Sequence, residues 1–264
     1  MYKYLVYYQV GFKNLATYKA DFIIHIIANM VFFFIYFALW KSIYSTTGTA
    51  EINTYSLSNT ITYFFITSIL FRFEPTFAMY LNESIWDGYL TNDLVRPWSA
   101  IAADIIFTIA EVSLRVLLYL PFCLFIFLVA ANYIDLPTFA NLFYFLITVI
   151  FGLFMSIAFY EIIHALCFYF GDQEANINLI SYIVVFLAGG FFPLLFLPQA
   201  LQSFFHLLPF RFLFDVPANI FLGKFSFLEI LGIWTQMIAW TVGFFAIFMF
   251  LFKNGLKRYT GTGR

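Results

Sequence analysis

Long apolar blocks recur from one end of this chain to the other, and they constrain its fold more than any motif does. Residues 22–40 form the first block, uncharged and interrupted only by His25 and Asn29. A helix rises ~1.5 Å per residue, so about 20 such residues cross a ~30 Å hydrocarbon core. The chain is 63% hydrophobic and 10% charged, where soluble domains carry roughly 25% charged residues. Its solvent is lipid. The length of 264 residues holds one polytopic domain of about six helices at ~20–25 residues per crossing, with little left for a soluble catalytic domain. A net charge of −1 gives no footing for nucleic acid. The 40 Phe and 18 Tyr suit lipid-facing surfaces and interfacial belts. Cys123 and Cys167 lie inside apolar blocks and read as packing residues. No short apolar run ending in small residues opens the chain, so the first crossing is expected to serve as an uncleaved anchor.

Residues 3–20 differ from the blocks that follow. Tyr4, Leu5, Tyr8, Phe12, Leu15 and Ala16 follow helical spacing on one side, with Lys3 and Lys13 largely elsewhere. This predicts an amphipathic helix within residues 1–21, lying in the interface with its lysines toward headgroups. Six spans are expected: 22–43, 55–73, 101–131, 139–170, 177–195 and 228–252. Glu74-Pro75 should kink or end the second, and Pro121 should tilt or break the third. Residues 196–226 are punctuated by Pro198, Pro209 and Pro217 yet remain apolar. Two short amphipathic pieces, 198–207 and 212–222, fit there as re-entrant or interfacial helices, each too short to cross. The fold class is therefore an all-α integral membrane protein, a single domain over residues 1–264.

Orientation follows from the excess of Lys and Arg in cytoplasmic loops. Six spans put both termini on one side, together with Arg72, Arg96, Lys253, Lys257 and Arg258. The other side receives only Lys41, Arg211 and Lys224. Both termini and the segment 82–97 are thus expected in the cytoplasm.

That segment is the strongest local signal. Its bland reading is a hydrophilic connection. Its pattern is Glu83-x-Ile85-x-x-Gly88-x-Leu90-x-x-x-Leu94-x-Arg96-Pro97, with Trp86 and Asp87 also in the segment. Set between the second and third spans, it resembles the corresponding stretch of ABC-2 type transporter permeases, the membrane subunits of ATP-driven exporters. A second resemblance runs from Leu208-Pro209-Phe210-Arg211 through Asp215-x-Pro217-Ala218-x-Ile220-Phe221-x-Gly223, similar to the re-entrant region before the last helix in a bacterial branch of that family. The resemblance implies that residues 83–95 form a coupling helix docking on a separate cytosolic ATPase. It implies a dimer of two permeases, the same or homologous, in the cytoplasmic membrane of a bacterium. It also implies an amphipathic or lipid-like substrate. No Gly-x-x-x-x-Gly-Lys-Ser/Thr phosphate loop occurs in the sequence, so the chain is not expected to be an enzyme by itself or to bind a cofactor; ATP and Mg would sit on the partner.

Ionisable residues inside spans are costly and usually face the bundle interior or a water-filled path. Glu111 and Arg115 are four apart on one helical face, the spacing of an internal ion pair. Glu161 and His164 share a face at i and i+3. In carboxylate-bridged metal bundles that motif is half of a site, and no second copy occurs here, so a helix–helix polar contact or a wet helix end is expected instead of a metal. Asp104 sits nearer the cytoplasmic end and reads as solvated. His25 and Asn29, four apart in the first span, either bond across to a neighbouring helix or line a route. The competing function is an ion-driven secondary transporter or channel using Glu111, Arg115, Glu161 and His164 as a proton relay; it calls for inverted repeats, and the halves 1–130 and 131–264 show no persuasive one.

Overall fold

A computed structural model of the chain describes residues 8–9, 19–75, 80–95 and 99–261. The expected interfacial helix falls almost wholly outside the described residues, as do Arg96, Pro97 and the side chain of His25. The described chain runs α1 (Lys19–Thr47), β1 (Glu51–Ile52), β2 (Tyr55–Ser56), α2 (Leu57–Leu70), α3 (Tyr80–Trp86), α4 (Leu90–Leu94), α5 (Ala100–Ala130), α6 (Phe139–Ala165), α7 (Cys167–Phe170), α8 (Glu174–Leu187), α9 (Gln199–Leu207), α10 (Asp215–Phe221) and α11 (Phe227–Leu256).

Four stretches are long and apolar enough to cross a membrane: Ile27–Thr47, Ala100–Tyr133, Phe139–Phe170 and Phe227–Leu256. Each long helix after the first starts on a hydroxyl cap that satisfies an otherwise orphaned backbone N–H. Ser99 accepts from the Ala102 amide, Thr138 from the Asn141 amide, and Ser226 from the Glu229 amide, while the Glu229 carboxylate accepts in turn from the Ser226 amide at 2.7 Å. Outside faces stay apolar and bare: Leu128, Phe139, Leu228 and Phe250 are each more than 60% exposed, as lipid contact requires.

The other two expected spans are shorter than the sequence reading. Helices α2 and α8 have 14 residues each, about 21 Å at ~1.5 Å per residue. Helix α2 ends at Leu70, ahead of Glu74-Pro75, and α8 ends at Leu187, just before Gly189 turns the chain with φ +80°. The third block behaves differently. Helix α5 runs unbroken through Pro121 over 31 residues, about 46 Å, because a single proline removes one backbone bond and leaves the remaining ladder intact. A helix that long must tilt or protrude from the core.

Sequence reading also missed a hairpin. Residues 51–56 pair as antiparallel strands with Ile52 opposite Tyr55, across a two-residue turn in which Asn53 and Thr54 both have positive φ, as primed hairpin turns require.

Contacts sort the loops to two ends of the bundle. At one end the hairpin meets the segment after α8 and the turn after α10. Tyr55 hydroxyl donates to Asn219 Oδ1, Asn53 Nδ2 to the Leu195 carbonyl, and Lys224 Nζ to the Thr54 carbonyl. The α5–α6 connection joins them through Asp135, which accepts from Asn59 Nδ2 at 2.7 Å. At the other end, α3 and α4 meet the α7–α8 turn and the tail of α11: Leu81, Ile85 and Leu90 cluster with Ala165, Cys167, Phe248 and Phe252. The main core lies between, with α6 packed against both α10 and α11, and α1 against α2.

Candidate functional site

The 80–95 segment folds as two short helices in an elbow. Leu81, Ile85 and Leu90 are buried and pin it to the bundle, while Glu83, Asp87, Tyr89, Leu94 and Val95 are exposed. This is the division a docking element needs: one apolar face inward, one mixed face out. Trp86 is half-buried and packs against the inward cluster. Gly88 makes the elbow with φ +84°, a conformation that costs an L-residue roughly 1–2 kcal/mol. The elbow is tied twice more. Tyr80 hydroxyl donates to Asp93 Oδ2 at 2.7 Å. Asn82 donates to Asp172 Oδ1 at 2.8 Å and accepts from the Gln173 amide at 3.1 Å, so α3 is clamped to the turn that launches α8. Gly171, in that turn at φ +83°, leaves the room Trp86 occupies; a Cβ there would stand 3.0 Å from the indole ring.

The exposed face carries concentrated negative charge. Burial raises the Glu83 carboxyl above its ordinary range, and Asp87, Glu174 and Asp172 raise it further. The linkage sign is fixed by that direction. As pH rises through the ordinary carboxylate range toward the raised value, the unfolded chain ionises first and the folded state loses stability. E83Q is therefore expected to stabilise the protein at about pH 7.5 by about 0.5 kcal/mol or less, the scale of screened surface charges. Thermal unfolding in detergent should show that gain shrinking at about pH 4, below the unperturbed glutamate value; an equal gain at both values would refute the assignment.

A second feature opens between α1, α2 and α8. A cavity of about 360 Å³ is lined by Asn29, Phe33, Tyr36, Phe71, Arg72 and Tyr182, among others. Among the described residues that line this largely apolar groove, Arg72 carries the charge. Its Nη2 donates to Asn29 Oδ1 at 3.3 Å, and its guanidinium lies 4.9 Å from the Tyr119 ring centre. Asn29 thus accepts from the corner after α2 and lines the groove. Only the charge of Arg72 marked it in the sequence; nothing there placed it in a groove.

The intramembrane residues fall into two groups. Glu111 and Arg115 are both buried on α5. Arg115 Nη1 donates to the Glu74 carbonyl at 2.8 Å, and Glu74 Oε2 accepts from Tyr160 at 3.0 Å, so the arginine ties α5 to the corner after α2 and, through Glu74, to α6. Glu161 and His164 lie near the end of α6, Nδ1 of the histidine 3.8 Å from the glutamate Oε2. Asp104 joins them from the first turns of α5 and is fully buried. The solvated reading of Asp104 is therefore corrected: its helix face turns inward against α6.

Long apolar helices, bare apolar outer faces and buried charges define a multi-pass helical membrane protein. A family model described as ABC-2 family transporter protein matches residues 12–263, and the chain belongs to that family. No curated protein and no solved structure matches it.

Proposed function

We propose that this chain is the transmembrane permease subunit of an ATP-binding-cassette exporter in a bacterial cytoplasmic membrane. Six crossings, with α2 and α8 as the short second and fifth, carry both termini to the cytoplasm. The sorting of loops supports this count: the 80–95 elbow, the α7–α8 turn and the α11 tail meet at one end, and the hairpin, the α5–α6 connection and residues 195–224 at the other. Helices α9 and α10 are the re-entrant pieces, of 9 and 7 residues. The observation that carries the proposal is the elbow itself, anchored by Leu81, Ile85 and Leu90 and open along Glu83, Asp87, Tyr89 and Leu94, within a chain that matches the family over residues 12–263. It docks on a cytosolic ATPase, which holds ATP and Mg. Two permeases pair to make the route. The family match takes weight from the ion-driven alternative.

The groove supports an amphipathic cargo: its aromatic walls take an alkyl or ring system and Arg72 takes an anionic head, a charge-assisted contact in a dry setting. Co-expression with the ATPase encoded nearest its gene, followed by co-purification and ATP-dependent uptake into inverted vesicles, tests the assignment. R72A is expected to cut uptake of an anionic amphiphile about tenfold, ~1.4 kcal/mol, while the ATPase still co-purifies. ATP-independent uptake by the chain alone would sink the exporter reading, and unchanged uptake in R72A would sink the role of Arg72.

A further inference from the structure

We propose that Asp104, Glu161 and His164 bind a single divalent transition-metal ion, with zinc the best chemical match, which fastens α5 to α6 next to the elbow. One ligand atom from each side chain falls within 4.8 Å of the others. All three residues are at most 2% exposed. Both Asp104 oxygens, Glu161 Oε2 and both His164 ring nitrogens make no hydrogen bond of good geometry among the described residues, although the Asp104 and Glu161 carboxyls approach closely enough to share a proton. Buried polar atoms normally have partners, and a cluster in which one ligand atom from each of three buried side chains converges within 4.8 Å is built for something that supplies the missing contacts.

A dication supplies them. Two carboxylates carry charge −2, which a divalent ion cancels within a dry interior where unpaired charge is costly. Tetrahedral coordination at ~2.0–2.1 Å sets ligand atoms roughly 3.3 Å apart, so the 3.8 Å between His164 Nδ1 and Glu161 Oε2 closes with a small side-chain adjustment. The imidazole selects zinc, cobalt or iron over magnesium and calcium, which take all-oxygen sets. Three protein ligands leave one position for water. The sequence concealed the site because its third ligand comes from a different helix as a lone aspartate; the expected second Glu-x-x-His is not needed for one ion. Ala100 and Ile101, one turn before Asp104, and Ile162 and Ala165, beside the other two ligands, pack in the cluster that seats Leu81 and Ile85. Binding would stiffen the floor on which the elbow rests. The proposal stands apart from the exporter reading, since it needs only the two helices.

The full-length chain is purified in detergent, stripped with a chelator, and titrated with Co2+ and with Zn2+. The expected result is one ion per chain by elemental analysis, a ligand-field spectrum of four-coordinate cobalt, and a zinc-dependent rise in the unfolding temperature. D104N, E161Q and H164Q, checked for unchanged elution and helical circular dichroism, should each weaken binding at least a hundredfold. Because a variant could misfold, the wild-type spectrum stands as a separate check: a six-coordinate signature, or no stoichiometric ion, overturns the proposal in favour of a cluster that shares protons only. A full equivalent retained by H164Q overturns it as well, by placing the ion elsewhere.

Discussion

Gly88→Pro is expected to abolish co-purification with the proposed ATPase partner and to lower stimulated ATP turnover more than tenfold, while the chain still inserts and elutes as wild type. Proline fixes φ near −65°, and the native turn holds Gly88 at +84°, so the elbow between α3 and α4 cannot close. It also pushes the preceding residue, here Asp87, toward extended backbone, against the bond from the Asp87 amide to the Glu83 carbonyl at 2.8 Å. The damage stays local because the main core, built from α1, α2, α5, α6, α10 and α11, does not include this segment. Gly88→Ala serves as the graded control: it keeps the turn at a strain of roughly 1–2 kcal/mol and should retain part of the coupling. An intact complex with normal turnover in Gly88→Pro would remove the elbow from the mechanism.

Asp215→Ala is expected to be the most destabilising exchange at the opposite end. Asp215 Oδ1 accepts from the Leu194 amide at 3.1 Å and from the Tyr63 hydroxyl at 3.1 Å, joining α10, the segment after α8 and α2 through one oxygen. Removing it orphans one buried donor, the Leu194 amide, at about 1–3 kcal/mol; the Tyr63 hydroxyl loses one of its acceptors but keeps the Gly189 carbonyl at 2.6 Å. We expect a loss of about 1–3 kcal/mol in detergent unfolding. Asp215→Asn retains an acceptor oxygen at nearly equal volume and should recover most of it. A change in the alanine variant within about 0.5 kcal/mol, the scatter of ordinary surface exchanges, would mean the carboxylate is not what holds this corner.

The long helices were legible because hydrocarbon demands uninterrupted apolar length, a property any window of sequence displays. The limits of α2 and α8 were not: α2 stops at Leu70, short of Glu74-Pro75, and α8 stops at Leu187, before the Gly189 reversal, although the apolar runs continue past both. Gly88 stood out as a glycine in a polar segment, and the structure gives it its conformational reason. Asp215 was visible only as a letter in a family-like pattern; the two donors it collects lie 21 and 152 residues away. Asp104 was misread for the same reason. Spacing along one helix reports its faces, whereas the convergence of α5 with α6 is a fact about packing between helices.

The Asn82 clamp has a mechanical corollary. Because α3 is bonded to Asp172 and the Gln173 amide, a stroke delivered to the elbow, if it acts as proposed, would divide between two branches: onward along the chain to α5, and sideways into the root of α8, whose Tyr182 forms part of the groove wall. The groove would then change shape through α8. Cutting that tie with Asn82→Ala should leave the motor engaged yet running idle, burning nucleotide without moving cargo.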